Sequence, residues 1–178
     1  MNIKTIIIVI ISVFFLPVIT YAETEKDFSI HGIKLGMDMN SLSAEYPDFE
    51  CNAGSSNSDI QRCKGEIDPT AQTGVFDKLR GTSVNMTLVF VKDKLVNINI
   101  PFYRALFKPT SHFFIQYYGQ PKASQKTILN QSGGKQTSTT LVWRNGKESI
   151  IYWEIDEGRY KKTGDNTYSR ILFILKEK

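Results

Sequence analysis

The sequence has 178 residues, of which 41% are hydrophobic and 12% aromatic, and its formal net charge is +4. This length suits one domain or two very small ones, and the composition excludes a disordered chain. Basic residues are interspersed with acidic ones, so the sequence has no concentrated basic face of the kind that binds nucleic acid.

Residues 1–22 are predicted to be a cleavable signal peptide. Lys4 precedes an apolar run from Thr5 to Ile19, and Thr20-Tyr21-Ala22 places small residues at an exit site after Ala22. The run is shorter than the roughly 20 apolar residues of a spanning helix, so no stable membrane insertion is expected after cleavage. No cysteine follows it directly for lipid attachment. We therefore expect residues 23–178 to form a periplasmic or secreted protein.

The first half of the mature chain is predicted to contain a short strand, a short helix and a hairpin. The strand covers Phe28–Ile33, and the helix begins after Asp38, a favourable N-cap residue, and ends before Pro47. Alternating apolar residues over Ser83–Pro101, interrupted by Lys92-Asp93-Lys94, predict a β-hairpin with one buried face.

Cys51 and Cys63 are the two cysteines of the chain. An even pair in an oxidising compartment predicts a disulfide, here closing a Ser-, Gly- and Asn-rich segment that is expected to be a loop. Eleven intervening residues differ from the C-x-x-C spacing of redox enzymes, and two thiols without a neighbouring histidine make a poor zinc site.

The second half is predicted to contain a helix, a hairpin and a final strand. An aromatic stripe over Pro109–Tyr118 indicates a helix packed on a sheet, and Gly119 is its expected C-cap. Asn145-Gly146 between two β-rich runs indicates the hairpin. After a polar loop over Asp156–Thr167, the strand Ser169–Leu175 is apolar on both faces, which is typical of a central strand.

These elements define an α+β fold with two short helices on a largely antiparallel sheet. Each helix precedes a strong hairpin, so we interpret the chain as two degenerate helix-plus-antiparallel-sheet units, about 28–101 and 102–178, packed as one domain. Connections between successive strands are too short for helical crossovers, which disfavours parallel βαβ topology.

Several short motifs together resemble small exported bacterial proteins of unknown function. The motifs are Gly32-Ile33-Lys34-Leu35-Gly36-Met37 before a short helix, Lys92-Asp93-Lys94 in a hairpin, Tyr118-Gly119-Gln120-Pro121 after a helix, and Trp143 on a strand. The helix-then-sheet units also resemble those of SmpA/OmlA-type outer-membrane-assembly lipoproteins and of β-lactamase inhibitor proteins. The chain differs from the lipoproteins in lacking an acylated cysteine. The resemblance implies protein binding rather than catalysis and supplies no functional residues.

Two motifs match the sequences of catalytic sites, but the segments that contain them are not predicted to have the secondary structure that those sites require. Ser132-Gly133-Gly134-Lys135 fits S-x-x-K but lies in a Gly-rich segment rather than at the start of a helix, and Lys162-Thr163-Gly164 fits K-T-G but lies in a polar segment. The two histidines, His31 and His112, are interpreted as surface or structural residues. We therefore expect no catalytic residues, no bound metal and no cofactor.

One segment, Arg159-Tyr160-Lys161-Lys162, combines three cations and an aromatic residue within the predicted loop Asp156–Thr167. It is our candidate contact for an acidic envelope or extracellular protein, since long polar loops on rigid scaffolds often bind partners. The first hypothesis is thus an exported protein-binding protein, either an inhibitor or an envelope accessory factor. The alternatives are an envelope enzyme using carboxylates such as Glu154 and Asp156, a small-ligand-binding envelope module, or a solvated loop without a partner.

Overall fold

The computed structural model describes residues 27–54, 57–67 and 84–176. In chain order the elements are β1 (Ser29–Ile30), β2 (Ile33–Lys34), α1 (Met39–Glu45), β3 (Glu50–Gly54), β4 (Asn57–Ile67), β5 (Val84–Val91), β6 (Lys94–Tyr103), α2 (Phe107–Tyr118), β7 (Lys122–Leu129), β8 (Lys135–Asn145), β9 (Glu148–Trp153), α3 (Glu157–Thr163) and β10 (Tyr168–Leu175). The predicted signal peptide, residues 1–22, lies outside the described residues.

Strands β3 to β10 form one eight-stranded sheet in the order β3-β4-β5-β6-β10-β9-β8-β7, in which every neighbouring pair is antiparallel. Strand β10 lies between β6 and β9, which confirms that the final strand is central. The α+β class and the antiparallel sheet are therefore confirmed. The hairpin β1–β2 forms a separate two-stranded sheet.

Both predicted hairpins and both predicted helices are present, and their local signals operate as expected. Lys92 and Asp93 have positive φ angles of 48° and 64°, the backbone that a two-residue hairpin turn needs. The Asp38 carboxylate accepts a hydrogen bond from the Ser41 N–H at 2.8 Å, and this bond lowers the pKa of Asp38. Gly119, with φ of 82°, ends α2.

One face of the sheet is covered by α1, α2 and the β1–β2 hairpin. Their buried residues Leu42, Phe114 and Ile30 belong to the same core cluster as the inward residues of the central strands. The cluster includes Leu88, Ile98, Ile100, Ile150, Tyr152, Ile171 and Phe173, which are fully buried. Because side chains alternate along each strand, the residues between these point to the opposite face.

The aromatic stripe of α2 divides between the core and the surface. Phe114 packs against Trp143, Tyr152 and Phe173, with ring centroids 5.6, 6.1 and 6.3 Å away. In contrast, Tyr117 is 42% exposed and stacks on Phe113. The sequence-based assignment of the whole stripe to the core was therefore too broad, since residues 113 and 117 lie on the outer side of the helix.

Two segments predicted as loops have regular structure instead. The Cys51–Cys63 segment is largely the hairpin β3–β4, with residues 55 and 56 outside the described part of the chain. The two cysteines lie directly opposite one another on these strands and form the predicted disulfide, with S–S of 2.05 Å. The Asp156–Thr167 segment contains α3, so the described residues hold three α-helices rather than two.

The partly buried Tyr118 and the fully buried Tyr152 provide a test of the hydrogen bonds around the core. The Tyr118 hydroxyl donates to Ser29 O at 2.8 Å, and burial raises its pKa, so it remains a donor. Burial raises the pKa of Tyr152, and the neighbouring hydroxyls of Ser169 and Thr110 lower it, but none of the three hydroxyls has a hydrogen bond of ordinary geometry within the described structure.

We expect Tyr118→Phe to lower the free energy of unfolding by about 1 kcal/mol, because it leaves a carbonyl of β1 without its donor. Tyr152→Phe should cost less, because the hydroxyl that it removes lies beside those of Ser169 and Thr110 without a hydrogen bond of ordinary geometry. Urea denaturation of both variants measures the difference. An equal loss in both would mean that the Tyr152 hydroxyl is hydrogen-bonded in solution.

Candidate functional site

The candidate contact segment forms a short helix because its two ends carry capping residues. Asp156 accepts a hydrogen bond from the Arg159 N–H at 3.2 Å, and Gly164 adopts the left-handed conformation at the C-terminus. Glu157 in the first turn and Lys161 and Lys162 in the last turn complement the helix dipole. The Asp156 and Gly164 pair, eight positions apart, was the sequence signal that could have identified α3.

The structure places the four predicted contact residues in different surroundings. Tyr160 is only 3% exposed and packs with Ile128 and Ile155, so the expectation that it offers an exposed aromatic surface is wrong. Helical geometry turns it toward the sheet while its charged neighbours face solvent. Lys162 is exposed, and the other two cations are exposed but form ion pairs.

Those ion pairs tie α3 to its surroundings. The Arg159 guanidinium lies 3.6 Å from the centroid of the Tyr168 ring and 2.7 Å from Asp165 Oδ2. Glu157 binds both Lys126 of β7 and Lys161, and hydrogen bonds from these two lysines lower its pKa. The cations of α3 are therefore held in place, and they also compensate acidic neighbours.

A second candidate surface is the sheet face opposite α1 and α2, which we term the open face. One row of directly paired residues crosses all eight strands and comprises Glu50, Lys64, Thr87, Asn99, Leu172, Ile151, Val142 and Lys122. An adjacent row comprises Asn52, Arg62, Val89, Asn97, Ile174, Ser149 and Arg144. All of these residues except Ser149 are at least partly exposed.

The open face combines an apolar centre with basic flanks. Leu172, Ile174 and Ile151 occupy the middle strands, whereas Arg62 and Arg144 lie toward opposite sides. With strands about 4.8 Å apart, the two arginines of the second row are about 24 Å from each other. The two rows contain four cations and one carboxylate, so the face is positively charged.

Helix α3 borders the open face, and a cleft of about 330 Å³ lies between them. Its lining residues are Trp153, Asp156, Glu157, Gly158, Lys161 and Arg170. Asp156 is 5% exposed and forms an ion pair with Arg170 at 2.7 Å. The charges that line this cleft are thus largely neutralised by one another, which leaves Trp153 as its main aromatic surface.

The carboxylates considered for an enzyme do not converge. Glu154 lines a different cavity, of about 700 Å³, and pairs with Arg104 at 2.8 Å, whereas Asp156 pairs with Arg170. Partial burial tends to raise the pKa of Glu154, but hydrogen bonds from Arg104 and Thr139 lower it overall. A carboxyl group with a lowered pKa is poorly suited to act as a general acid at neutral pH.

Within the described residues, no group of three or more His, Cys, Asp or Glu side chains could hold a metal ion. No helix in that part of the chain is long and apolar enough to cross a membrane. Comparison with protein-family models, curated proteins and solved structures finds no match for this chain.

Proposed function

We propose that the chain is an exported, non-catalytic protein-binding protein whose open face contacts an acidic protein of the cell envelope or the extracellular space. The observation that carries this proposal is the partly exposed apolar centre of the sheet, flanked by cations on both sides. A surface with an apolar middle and a polar rim is the usual anatomy of a protein interface.

Export is supported by the predicted signal peptide over residues 1–22 and by the disulfide between Cys51 and Cys63. Disulfides persist in oxidising compartments and are rare in reducing ones. The partner is therefore expected in the periplasm or outside the cell.

The proposal also includes the two-unit interpretation of the fold. Helix α1 precedes the strand series β3–β6, and α2 precedes the series β7–β10, with β6 paired to β10. Two units joined at their last strands would produce one continuous sheet with α1 and α2 on one side. Such an arrangement supports binding by the other side, and protein binding is what the resemblance to β-lactamase inhibitor proteins and SmpA/OmlA-type lipoproteins implies.

Charge favours an acidic partner over a neutral one. Arg62 and Arg144 are exposed at the flanks of the apolar centre, where they can steer an acidic surface into register. The cations of α3 extend the same potential along one border, although Arg159 and Lys161 are partly compensated by Asp165 and Glu157. In this proposal α3 is the rim of the interface and the sheet is its centre.

The proposal is tested by reversing charge on the open face. The double variant Arg62→Glu/Arg144→Glu should reduce capture of an envelope partner at least tenfold, since two opposing contacts become repulsive. The matched control is Lys108→Glu, an exposed position on α2 at the other side of the molecule. Cross-linking of the mature protein in envelope extract, followed by quantitative mass spectrometry, identifies a partner and compares the variants.

We expect the partner to be lost from the double variant, to be retained by the control, and to dissociate more readily at high salt. Both variants should melt within a few degrees of the parent protein, because exposed substitutions usually change stability little. Equal capture by the double variant and the control would refute binding through the open face.

A further inference from the structure

The two edges of the sheet differ in a way that bears on partner binding. Edge strand β3, Glu50–Gly54, is short, shifts register at Ala53/Gly54 and is cross-linked to β4 by the disulfide. The opposite edge strand, β7, has eight residues and pairs with β8 without a register shift. Bulges and short length protect an edge from further pairing, and β7 has neither.

Strand β7 is also accessible along its length. Residues 122–127 are all exposed, and Ala123, Ser124 and Thr127 are small side chains that leave the backbone open. Within the described part of the chain β7 is the last strand of the sheet, so its outward N–H and C=O groups have no strand partner. An edge of this kind is a template for one more strand.

The structure holds β7 rigid at the end where it meets α3. Ile128 is buried against Ile155 and Tyr160, and Lys126 pairs with Glu157. In the turn that follows, the Asn130 side chain accepts a hydrogen bond from the Gly134 N–H at 2.7 Å. A preformed edge lowers the entropic cost of adding a strand.

We propose that β7 accepts an extended, acidic segment of the partner protein as a ninth strand of the sheet. This inference deepens the proposed function and rests on it for the class of partner. Lys122 and Lys126 lie two positions to either side of Ser124, so both point to the open face, where acidic residues at alternate positions of the incoming strand would meet them. Leu129, 52% exposed on the other side, would be covered by an apolar residue.

A second copy of the chain is a poorer occupant of this edge. Antiparallel pairing of two β7 strands about a two-fold axis through Gln125 would place Lys126 of each copy diagonal to Lys122 of the other. Like charges on neighbouring strands are destabilising, and edge lysines are a common protection against self-pairing. The same lysines attract an acidic strand, and Lys122 does so most strongly because Lys126 is already paired with Glu157, so the charge pattern selects the partner segment.

The proposal is tested with a synthetic peptide of eight residues that alternates Glu and Val, acetylated and amidated at its ends. Its control replaces each Glu with Lys. We expect the acidic peptide at up to millimolar concentration to slow hydrogen exchange in β7 and to leave β3 unaffected. Lys122→Glu should weaken this binding about tenfold, whereas Lys147→Glu, an exposed change in the β8–β9 turn, should not.

Proline variants of the edge separate strand addition from simple charge attraction. Successive residues direct their N–H groups to opposite sides of a strand. One of the two variants Ser124→Pro and Gln125→Pro therefore removes an outward N–H donor, and the other removes an N–H that pairs with β8. The variant that keeps the parent melting temperature is the outward one, and it should lose peptide binding. Retained binding by that variant, equal binding of the Lys peptide, or no protection of β7 would each overturn the proposal.

Failure of strand addition at β7 can be distinguished from failure of the proposed function. The single variant Arg62→Glu should still bind the acidic peptide, because Arg62 lies on β4, near the opposite edge of the sheet from β7. Arg144 is unsuitable for this comparison, because it lies on β8, the strand that pairs with β7. If the peptide fails while the double variant still loses its envelope partner, strand addition is wrong and binding by the open face stands. A dimer in sedimentation analysis that the outward proline variant abolishes would instead identify a second copy as the occupant, which also overturns the proposal.

Discussion

Replacing both Cys51 and Cys63 with Ala should lower the free energy of unfolding by about 3 kcal/mol, the value expected from the chain-entropy model for a loop of this length. The two residues are separated by 12 positions in the sequence and lie opposite one another on β3 and β4. Among the strands that the structure describes, edge strand β3 pairs only with β4, so the cross-link constrains a strand with few other contacts there.

Packing around the disulfide should add to the loss of free energy of unfolding. Cys63 is fully buried, and Met39 Sδ of α1 lies 3.7 Å from Cys63 Sγ and 3.8 Å from Cys51 Sγ. Removing both sulfurs therefore leaves space under α1 as well as releasing the loop. The exposure of Cys51 should allow a reductant to reach the bond in the folded protein.

Urea denaturation of the double Ala variant, with Asn52→Ala as a control at an exposed position of the same strand, measures the effect. The control should differ from the parent protein by less than about 0.5 kcal/mol. A loss below about 1 kcal/mol for the double variant would mean that β3 and β4 pair independently of the bond.

The elements that the sequence predicted are those with a strong local signal. Asp38 and Gly119 mark the ends of helices, and the Lys92-Asp93 and Gly146-Lys147 turns join strands with alternating buried residues. In each case the backbone conformation is dictated by residues close in sequence, so tertiary context was not needed.

Strand β7 and the hairpin β3–β4 lacked such a signal. Strand β7 buries only Ile128 among its eight residues, so no alternation of apolar and polar residues was visible. Its strand conformation is imposed by pairing with β8, which is a tertiary effect. The hairpin β3–β4 was hidden by its polar composition in the same way.

The candidate site could be predicted only in part, because its residues are distant in sequence. The cations of α3 were visible as one run, but the register that aligns Arg62, Ile174 and Arg144 on one face depends on β6 pairing with β10. No local pattern specifies that pairing. The sequence therefore indicated a contact at the rim and not the sheet face beside it.

Because the segment is a helix with one buried residue, its contribution to stability and its surface charge can be changed by separate variants. Tyr160→Ala should lower the free energy of unfolding by about 3 kcal/mol, within the range for removing a buried aromatic side chain. Tyr160 is the one buried residue of α3, and among the described residues its cluster holds two others, Ile128 and Ile155. Without it, α3 has little apolar contact left with the sheet, so its amides should exchange faster than those of β10.

The matched variant Arg159→Ser/Lys161→Ser/Lys162→Ser removes the charges and keeps the aromatic contact. It should change the free energy of unfolding by about 1 kcal/mol or less, because exposed ion pairs contribute little. Substituting all four residues together would confuse loss of folding with loss of binding. Thermal unfolding and hydrogen exchange of both variants measure the two effects separately.

The same pair of variants connects α3 to the edge strand. Release of α3 by Tyr160→Ala frees Ile128 and the Lys126 partner Glu157, so β7 should lose its rigidity and bind the acidic peptide more weakly. The triple Ser variant retains both anchors and should bind it with nearly the parent affinity, since Lys122 and Lys126 remain. Unchanged melting and unchanged protection of α3 in Tyr160→Ala would show that the helix is held by its ion pairs, contrary to this account.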